Sequence, residues 1–309
     1  MARKIILDCD PGHDDAIAIL LAGQKKYFDL LGITTVSGNQ TIEKTTQNAI
    51  NLVNFLNLDV QIAMGASEPL VRKKQICEEI HGKTGLDGYE FPKYNQVPIQ
   101  LNASQFIVNK VLENDHVTLI ATGPITNIAL ALKLEPKIKE HIDEIIFMGG
   151  SIDNGNVSPA AEFNVLCDPE ATHIVLTSGL PIKMVGLNVT RKVLCSKDVI
   201  ERMSLIKNKT SDLFVKLMNV FNTNQAKTFN NFIGGPLHDP VTIASLIDDK
   251  LVTFKHLNVD IDLSHGPSYG RTNVDMFDYL HKEHNCFVAI DVDVNRFWDI
   301  VEEGIKNYE

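Results

Sequence analysis

The sequence predicts an α/β protein whose open, mostly parallel central sheet is covered by helices on both faces. Two observations predict it. Short β-branched runs that end in acidic or glycine-rich turns recur along the chain, each followed by a helical pattern. The strand cores Ile5-Ile6-Leu7 and Ile145-Ile146-Phe147 are apolar at consecutive positions, as strands buried on both faces must be. The first strand, residues 4–9, runs into the acidic turn at Asp8 and Asp10. The second, 31–36, precedes Ser37-Gly38-Asn39, and the third, 117–122, ends at Thr122-Gly123-Pro124. Residues 144–148 and 182–187 supply two more strands, and helices over 41–56 and 169–178 are expected to cover the sheet. Two segments lack periodicity and read as insertions at the strand ends: 77–98, with His81-Gly82-Lys83-Thr84-Gly85-Leu86-Asp87-Gly88, and 221–235, rich in Asn and closed by Gly234-Gly235-Pro236. Ligands of open α/β sheets sit beyond the carboxyl ends of the strands, so both are candidate lids, or ordinary surface loops.

No internal repeat, low-complexity tract or Pro/Gly/Ser-rich linker divides residues 1–309, which read as one domain. With 44% apolar and 22% charged residues the chain has ample material for a core. Its 29 Lys+Arg against 39 Asp+Glu give a formal charge of −10, which argues against a nucleic-acid polymer as partner, because that surface needs clustered cations. The apolar stretch Ile5-Ile6-Leu7 is too short for a signal-peptide core, and the longest apolar run, 16–22, falls far short of the ~20 residues of a membrane span. Five cysteines, an odd number without a C-x-x-C pair, speak against a disulfide framework or zinc knuckle. A soluble protein of a reducing, cytoplasmic compartment is expected.

The chemistry concentrates in Asp8-Cys9-Asp10-Pro11-Gly12-His13-Asp14-Asp15, which sets four carboxylates directly after a buried strand. Like charges this close must be protonated, solvated or neutralised, and a hard divalent ion with oxygen ligands is the usual solution. A calcium loop of the EF-hand kind fails, since starting at Asp8 it puts His13 where Gly is needed and Ile19 where Glu is needed. A magnesium-dependent phosphatase with Asp8 as nucleophile matches the continuation poorly. The structural alternative is helix capping by Asp14 or Asp15. Three later segments repeat the theme. The turn after Thr122 offers a main-chain carbonyl as a neutral metal ligand; Asn156, Glu162, Asn164 and Asp168 supply groups suited to sugar hydroxyls; His238 stands beside Asp239 at a helix start. Each also has a structural reading, Asn164 as a turn cap and Asp239 as a helix cap.

Together, Asp8-x-Asp10-Pro11-Gly12-x-Asp14-Asp15-Ala16, Ser37-Gly38-Asn39, Thr122-Gly123-Pro124-x-Thr126-Asn127, Ala161-Glu162-Phe163-Asn164 with Asp168-Pro169, and His238-Asp239 resemble the calcium-dependent nucleoside hydrolases over nearly the whole chain. The segments around His13, His81–Gly88 and Gly266-Pro267-Ser268-Tyr269-Gly270-Arg271-Thr272 look most like the bacterial pyrimidine-preferring members. The resemblance implies a Rossmann-like core and hydrolysis of a ribonucleoside, uridine or cytidine, to base and ribose. It implies Ca²⁺ held by Asp10, Asp15, the Thr122 carbonyl and Asp239, with Asp10 as general base toward a calcium-bound water. It implies ribose contacts from Asp14, Asn39, Asn156, Glu162 and Asn164, a sugar pocket lined by Met148, and His81 and His238 near the base, with His238 assisting its departure. The family places base contacts in 222–230; that segment lacks tyrosine here, and Gln225 and Phe229 are the candidates. A homodimer or homotetramer is also implied. The competing readings are a non-catalytic nucleoside or ribose sensor, a purely structural calcium site and the phosphatase using Asp8.

Overall fold

The structure, a computed structural model, describes residues 2–227 and 232–308. Its strands are β1 (Arg3–Cys9), β2 (Phe28–Thr35), β3 (Ile62–Met64), β4 (Val117–Ala121), β5 (Ile142–Met148), β6 (Ile182–Val185), β7 (Leu194–Ser196), β8 (Gly234–Pro236), β9 (Val252–Leu257), β10 (Val259–Ile261), β11 (Thr272–Val274) and β12 (Cys286–Val292). Eight of them form the central sheet in the order β3-β2-β1-β4-β5-β6-β12-β9, with every pairing parallel except β12 with β9. The α/β class and the mostly parallel sheet therefore hold.

Ile5 and Leu7 enter the core on one face of the sheet and Ile6 the core on the other, which is why all three are apolar. Helices Asp15–Ala22, Ile42–Phe55 and Lys209–Gln225 cover the first face; Ala103–Leu112, Thr126–Leu134 and Pro169–Leu176 cover the second. Each fully buried Ile or Leu contributes about 1.5–3 kcal/mol through removal of apolar surface from water.

The five expected strand runs are β1, β2, β4, β5 and β6, and the two expected helices lie within their predicted spans. Three features differ. Residues 186–190 leave the strand at Gly186 and form the short helix Leu187–Thr190. Phe221–Gln225 are the last residues of the helix Lys209–Gln225, anchored by an Asn208–Ser211 capping box, so the second expected insertion begins as helix. The antiparallel edge pair β9 and β12, with the ribbons β7/β8 and β10/β11, went unpredicted because β9 exposes Thr253, Lys255 and His256 and offers no continuous apolar run.

Strand order reverses at β1, which has β2 on one side and β4 on the other. Asp8 lies opposite both Thr34 and Ala121, so the chain leaves β1, β2 and β4 at one level of the sheet. A crevice beyond the carboxyl ends of strands at such a reversal is where α/β sheets bind ligands.

Candidate active site

A cavity of about 460 Å³ opens at that crevice. Its polar lining includes Asp14, Asn39, Thr122, Glu162, Asn164 and Asp239, with Met148 beside them. Asn156, His81, Gln225 and His238 also face it, among the apolar Ile80, Leu194, Phe221 and Ile233. Asp10 and Asp15 are buried beneath. Phe229 lies outside the described residues.

The four carboxylates at the end of β1 and just after it do different work. Asp8 accepts hydrogen bonds from Thr34 Oγ1 at 2.6 Å and Asn127 Nδ2 at 2.8 Å, tying β1 to β2 and to the turn after β4, and burial raises its carboxyl to about 6. Its Oδ1 is held by donors from β2 and from the helix after β4, a structural tie that disfavours a phosphatase nucleophile at this position. Asp10 accepts from the Asn39 main-chain N–H at 2.6 Å through Oδ2, while its buried Oδ1 has no partner. A Cβ at Gly38 or Gly123 would run into this carboxylate, so both glycines make room for it. Asp15 is the most heavily bonded, accepting from Gly12 N–H at 2.9 Å, Asn39 Nδ2 at 3.1 Å and Thr122 Oγ1 at 2.7 Å. Asp14 accepts from the His238 main-chain N–H at 3.2 Å.

Side-chain capping by Asp14 and Asp239 fails on geometry, while Asp15 lies in the first turn of its helix. Asp14 precedes the helix Asp15–Ala22 and Asp239 precedes Pro240–Ile247, and neither side chain caps its helix. Instead, oxygens of Asp14, Asp15 and Asp239 lie within 4.8 Å of one another. Burial pushes the Asp10 and Asp239 carboxyls well above their ordinary range and Asp15 to about 7, with neighbouring carboxylates adding to each. This set suits a hard cation: oxygen donors only, buried, mutually repelling, with the unpartnered Asp10 Oδ1 beside them. The close trio contains Asp14, where the family resemblance implies Asp10 as a ligand.

Asn164 behaves differently from a free sugar contact, because its Nδ2 donates to the Thr122 carbonyl at 2.8 Å and the Met148 carbonyl at 3.2 Å, pinning the two strand ends β4 and β5 together. Glu162 caps its own turn through Asn164 and Val165 N–H and also accepts from Gly150 N–H, yet burial still raises it to about 7. Asn156 Oδ1 accepts from Phe163 N–H at 3.0 Å.

Two imidazoles complete the wall. His81 Nδ1 accepts the His13 main-chain N–H at 3.2 Å, so the neutral ring carries its proton on Nε2. Burial pushes the His81 imidazolium down to about 3, and the ring packs within 5.6 Å of His13 and 5.9 Å of Phe221. His13 in turn bonds the Asp87 carbonyl through Nε2 at 2.8 Å, locking the 77–98 segment onto the acidic loop. His238 Nδ1 meets Thr190 Oγ1 at 2.7 Å, and burial lowers its pKa too. Sequence reasoning missed Phe221, the His13 contact and Arg191 at the cavity rim; each acts through partners distant in the chain, and no local pattern announces them.

A family model described as "Inosine-uridine preferring nucleoside hydrolase" matches residues 5–299. The chain is 41% identical over 307 residues to the pyrimidine-specific ribonucleoside hydrolase RihB of Escherichia coli, covering 99% of this chain and 98% of that protein. Among solved structures, a purine-preferring ribonucleoside hydrolase from Gardnerella vaginalis superimposes with a TM-score of 0.90 at 31% identity, over 98% of this chain and 99% of that one. A plant nucleoside hydrolase does so at 0.92 and 30% identity, over 99% and 100%.

Proposed function

The chain belongs to the inosine-uridine preferring nucleoside hydrolase family, a ribonucleoside hydrolase that cleaves N-glycosidic bonds, and we propose that it prefers pyrimidine ribonucleosides and works with Ca²⁺. The observation that carries the reading is the pairing of an acidic floor, with Asp10 Oδ1 unpartnered, and two neutral imidazoles on one cavity. Asp10, Asp15, Asp239 and the Thr122 carbonyl would hold the ion, with Asp14 at its rim. When bound, Ca²⁺ supplies the positive charge that keeps these carboxylates ionised and a Lewis acid for the ribose diol and water.

The side chains do the rest. Departure of the base leaves positive charge on the ribose ring, which buried carboxylates stabilise more strongly than bulk water does. Asp10 takes the proton from the attacking water through its open Oδ1. Asn39 holds Asp10 and Asp15 in place through its main-chain and side-chain donors while facing the sugar. With the diol on the acidic floor, the remaining sugar hydroxyl is the exocyclic one on C5, and the Asn156 Nδ2 group is oriented to donate to it because its Oδ1 is fixed on Phe163 N–H. Glu162 and Met148 close that side of the sugar pocket.

At the base, His81 and His238 are neutral near pH 7, since burial disfavours their cations. A neutral imidazole N–H donates a hydrogen bond to a ring carbonyl, as uracil or cytosine presents, and suits such a leaving group better than one that needs full ring protonation. Gln225 offers an amide to the same edge; Phe229, the other candidate, lies outside the described residues. The match to a pyrimidine-specific relative supports this preference, and a purine-preferring structural relative with the same fold is compatible with base choice lying in the wall. Homodimeric or homotetrameric assembly and a cytoplasmic role in nucleoside salvage belong to the same proposal; among the described residues no helix is long and apolar enough to cross a membrane.

The test is a panel of uridine, cytidine, inosine, adenosine and 2′-deoxyuridine, with and without chelator. Ribose release is expected to be fastest from uridine and cytidine, to fall with 2′-deoxyuridine because a diol contact is lost, and to stop on chelation until Ca²⁺ is returned. Binding without turnover would favour the sensor, and activity indifferent to chelation a merely structural ion.

A further inference from the structure

Resting on the ribonucleoside reading above, we propose that Arg191 is a positioning residue: its guanidinium clamps the loop that presents Asn156 and thereby sets recognition of the sugar's 5′-hydroxyl. Arg191 directly follows the helix Leu187–Thr190, and Thr190 is the residue that meets His238. From there it reaches across to the segment after β5, where two guanidinium nitrogens donate to the carbonyls of Asn154 at 3.1 Å and Gly155 at 2.6 Å. A planar fork gripping two successive carbonyls fixes both the position and the direction of the peptide, which a point charge does not.

The loop's other bonds are local, Asp153 N–H donating to Ser151 Oγ at 3.0 Å and Ala161 N–H to Ser158 Oγ at 2.8 Å, so the fork is what ties residues 154 and 155 to a separate element. Gly155 N–H reaches Pro159 O at 3.3 Å, a long bond, and Asn156 N–H reaches Ala161 O at 3.2 Å, at the upper end of the ordinary range. Gly155 lies against the Ala161 backbone so closely that a Cβ would overlap it, so the turn has one way to pack. Asn156 follows immediately, with Oδ1 on Phe163 N–H and Nδ2 left for the cavity. The clamp thus joins the sugar-side loop to the helix behind His238. An anion-binding role for Arg191 fits poorly, because the fork is already engaged by the two carbonyls and the Asp153 and Glu162 carboxylates lie within its field.

The test compares wild type, Arg191→Met and Arg191→Lys on uridine and 5′-deoxyuridine, with hydrogen exchange on the free proteins. Arg191→Met is expected to lower kcat/KM for uridine by roughly tenfold or more, but to change 5′-deoxyuridine by less than about twofold, since that substrate lacks the group being positioned. Arg191→Lys is expected to follow Arg191→Met, because it keeps the charge and loses the fork. Peptides spanning 153–163 should exchange faster in both variants. Equal losses on the two substrates, a fully active lysine variant, or unchanged exchange in 153–163 would each overturn the proposal in an otherwise active enzyme. A wild-type protein that turns over no ribonucleoside would instead sink the functional reading, and this clamp's role with it.

Discussion

The acidic floor and the ring-lined wall of the cavity are built by opposite means. The floor hangs on the carboxyl end of the central sheet: Asp8 in β1 is bound to Thr34 in β2 and to Asn127, Asp10 to Asn39 and Asp15 to Thr122, in the turns and helix starts just beyond β1, β2 and β4. The wall comes from the 77–98 segment, the end of the helix Lys209–Gln225 and the short strand β8, and its imidazoles and Phe221 pack as rings among aliphatic side chains. Charge that must be held against mutual repulsion needs the rigid frame, whereas a surface that selects among bases tolerates variation. A purine-preferring relative that superimposes with a TM-score of 0.90 and a pyrimidine-specific relative 41% identical in sequence fit that division.

The comparison predicts that damage to the floor is independent of the leaving group and damage to the wall is not. The largest effect is expected from Asp10→Ala, which should lower kcat on uridine by about 10³-fold or more, and equally on an aryl riboside whose leaving group departs unaided. Circular dichroism must show the variant folded. Full activity on the aryl riboside would move the general base elsewhere.

Next in size is a stability effect at Glu162. Its carboxyl is raised from 4.5 to about 7, so the folded state binds a proton more tightly than the unfolded chain. Stability from this group is full below pH 4.5 and is lost as pH rises through 7, on the order of 3 kcal/mol in all. Glu162→Gln removes that portion of the slope. Denaturant melts at pH 5 and pH 8 should show a smaller pH difference in the variant, even though three main-chain donors lose part of their acceptor and its stability at pH 5 falls. Parallel pH curves would show that Glu162 titrates normally.

How much of this was legible in the sequence follows the same division. The floor is announced locally, by four carboxylates in eight positions behind an apolar strand, and those residues do converge beneath one cavity. The α/β class was equally legible, because consecutive apolar positions in β1 and β5 require cover on both faces. The wall was not, since the His81 proton is placed by a main-chain donor 68 residues earlier and Gln225 reaches the cavity only because residues 221–225 extend a helix. Asn164 shows the limit inside a legible motif: it lines the cavity, but its amide holds two strand-end carbonyls, a partnership that only the assembled sheet defines.

On the wall, His238→Ala is expected to slow uridine about 10²-fold and to leave the aryl riboside within a few-fold of wild type, the converse of the Asp10 pattern. Loss on both substrates would place His238 among the sugar-holding groups, through its main-chain bond to Asp14.

The smallest effect belongs to Gln225. The side chain is buried at the cavity margin, at the end of the helix Lys209–Gln225, next to apolar residues that can grip any flat ring. An amide there contributes a hydrogen bond to one base edge and little to catalysis, so Gln225→Ala should change the uridine-to-inosine ratio of kcat/KM by only about 3- to 10-fold, toward less selective, with ribose affinity unchanged. The ratio is the informative quantity, because a general loosening of the helix end would slow both substrates together and leave it constant. A constant ratio would assign the choice of base to the imidazoles and the apolar rings alone, and would make the wall a shape filter with no amide reader.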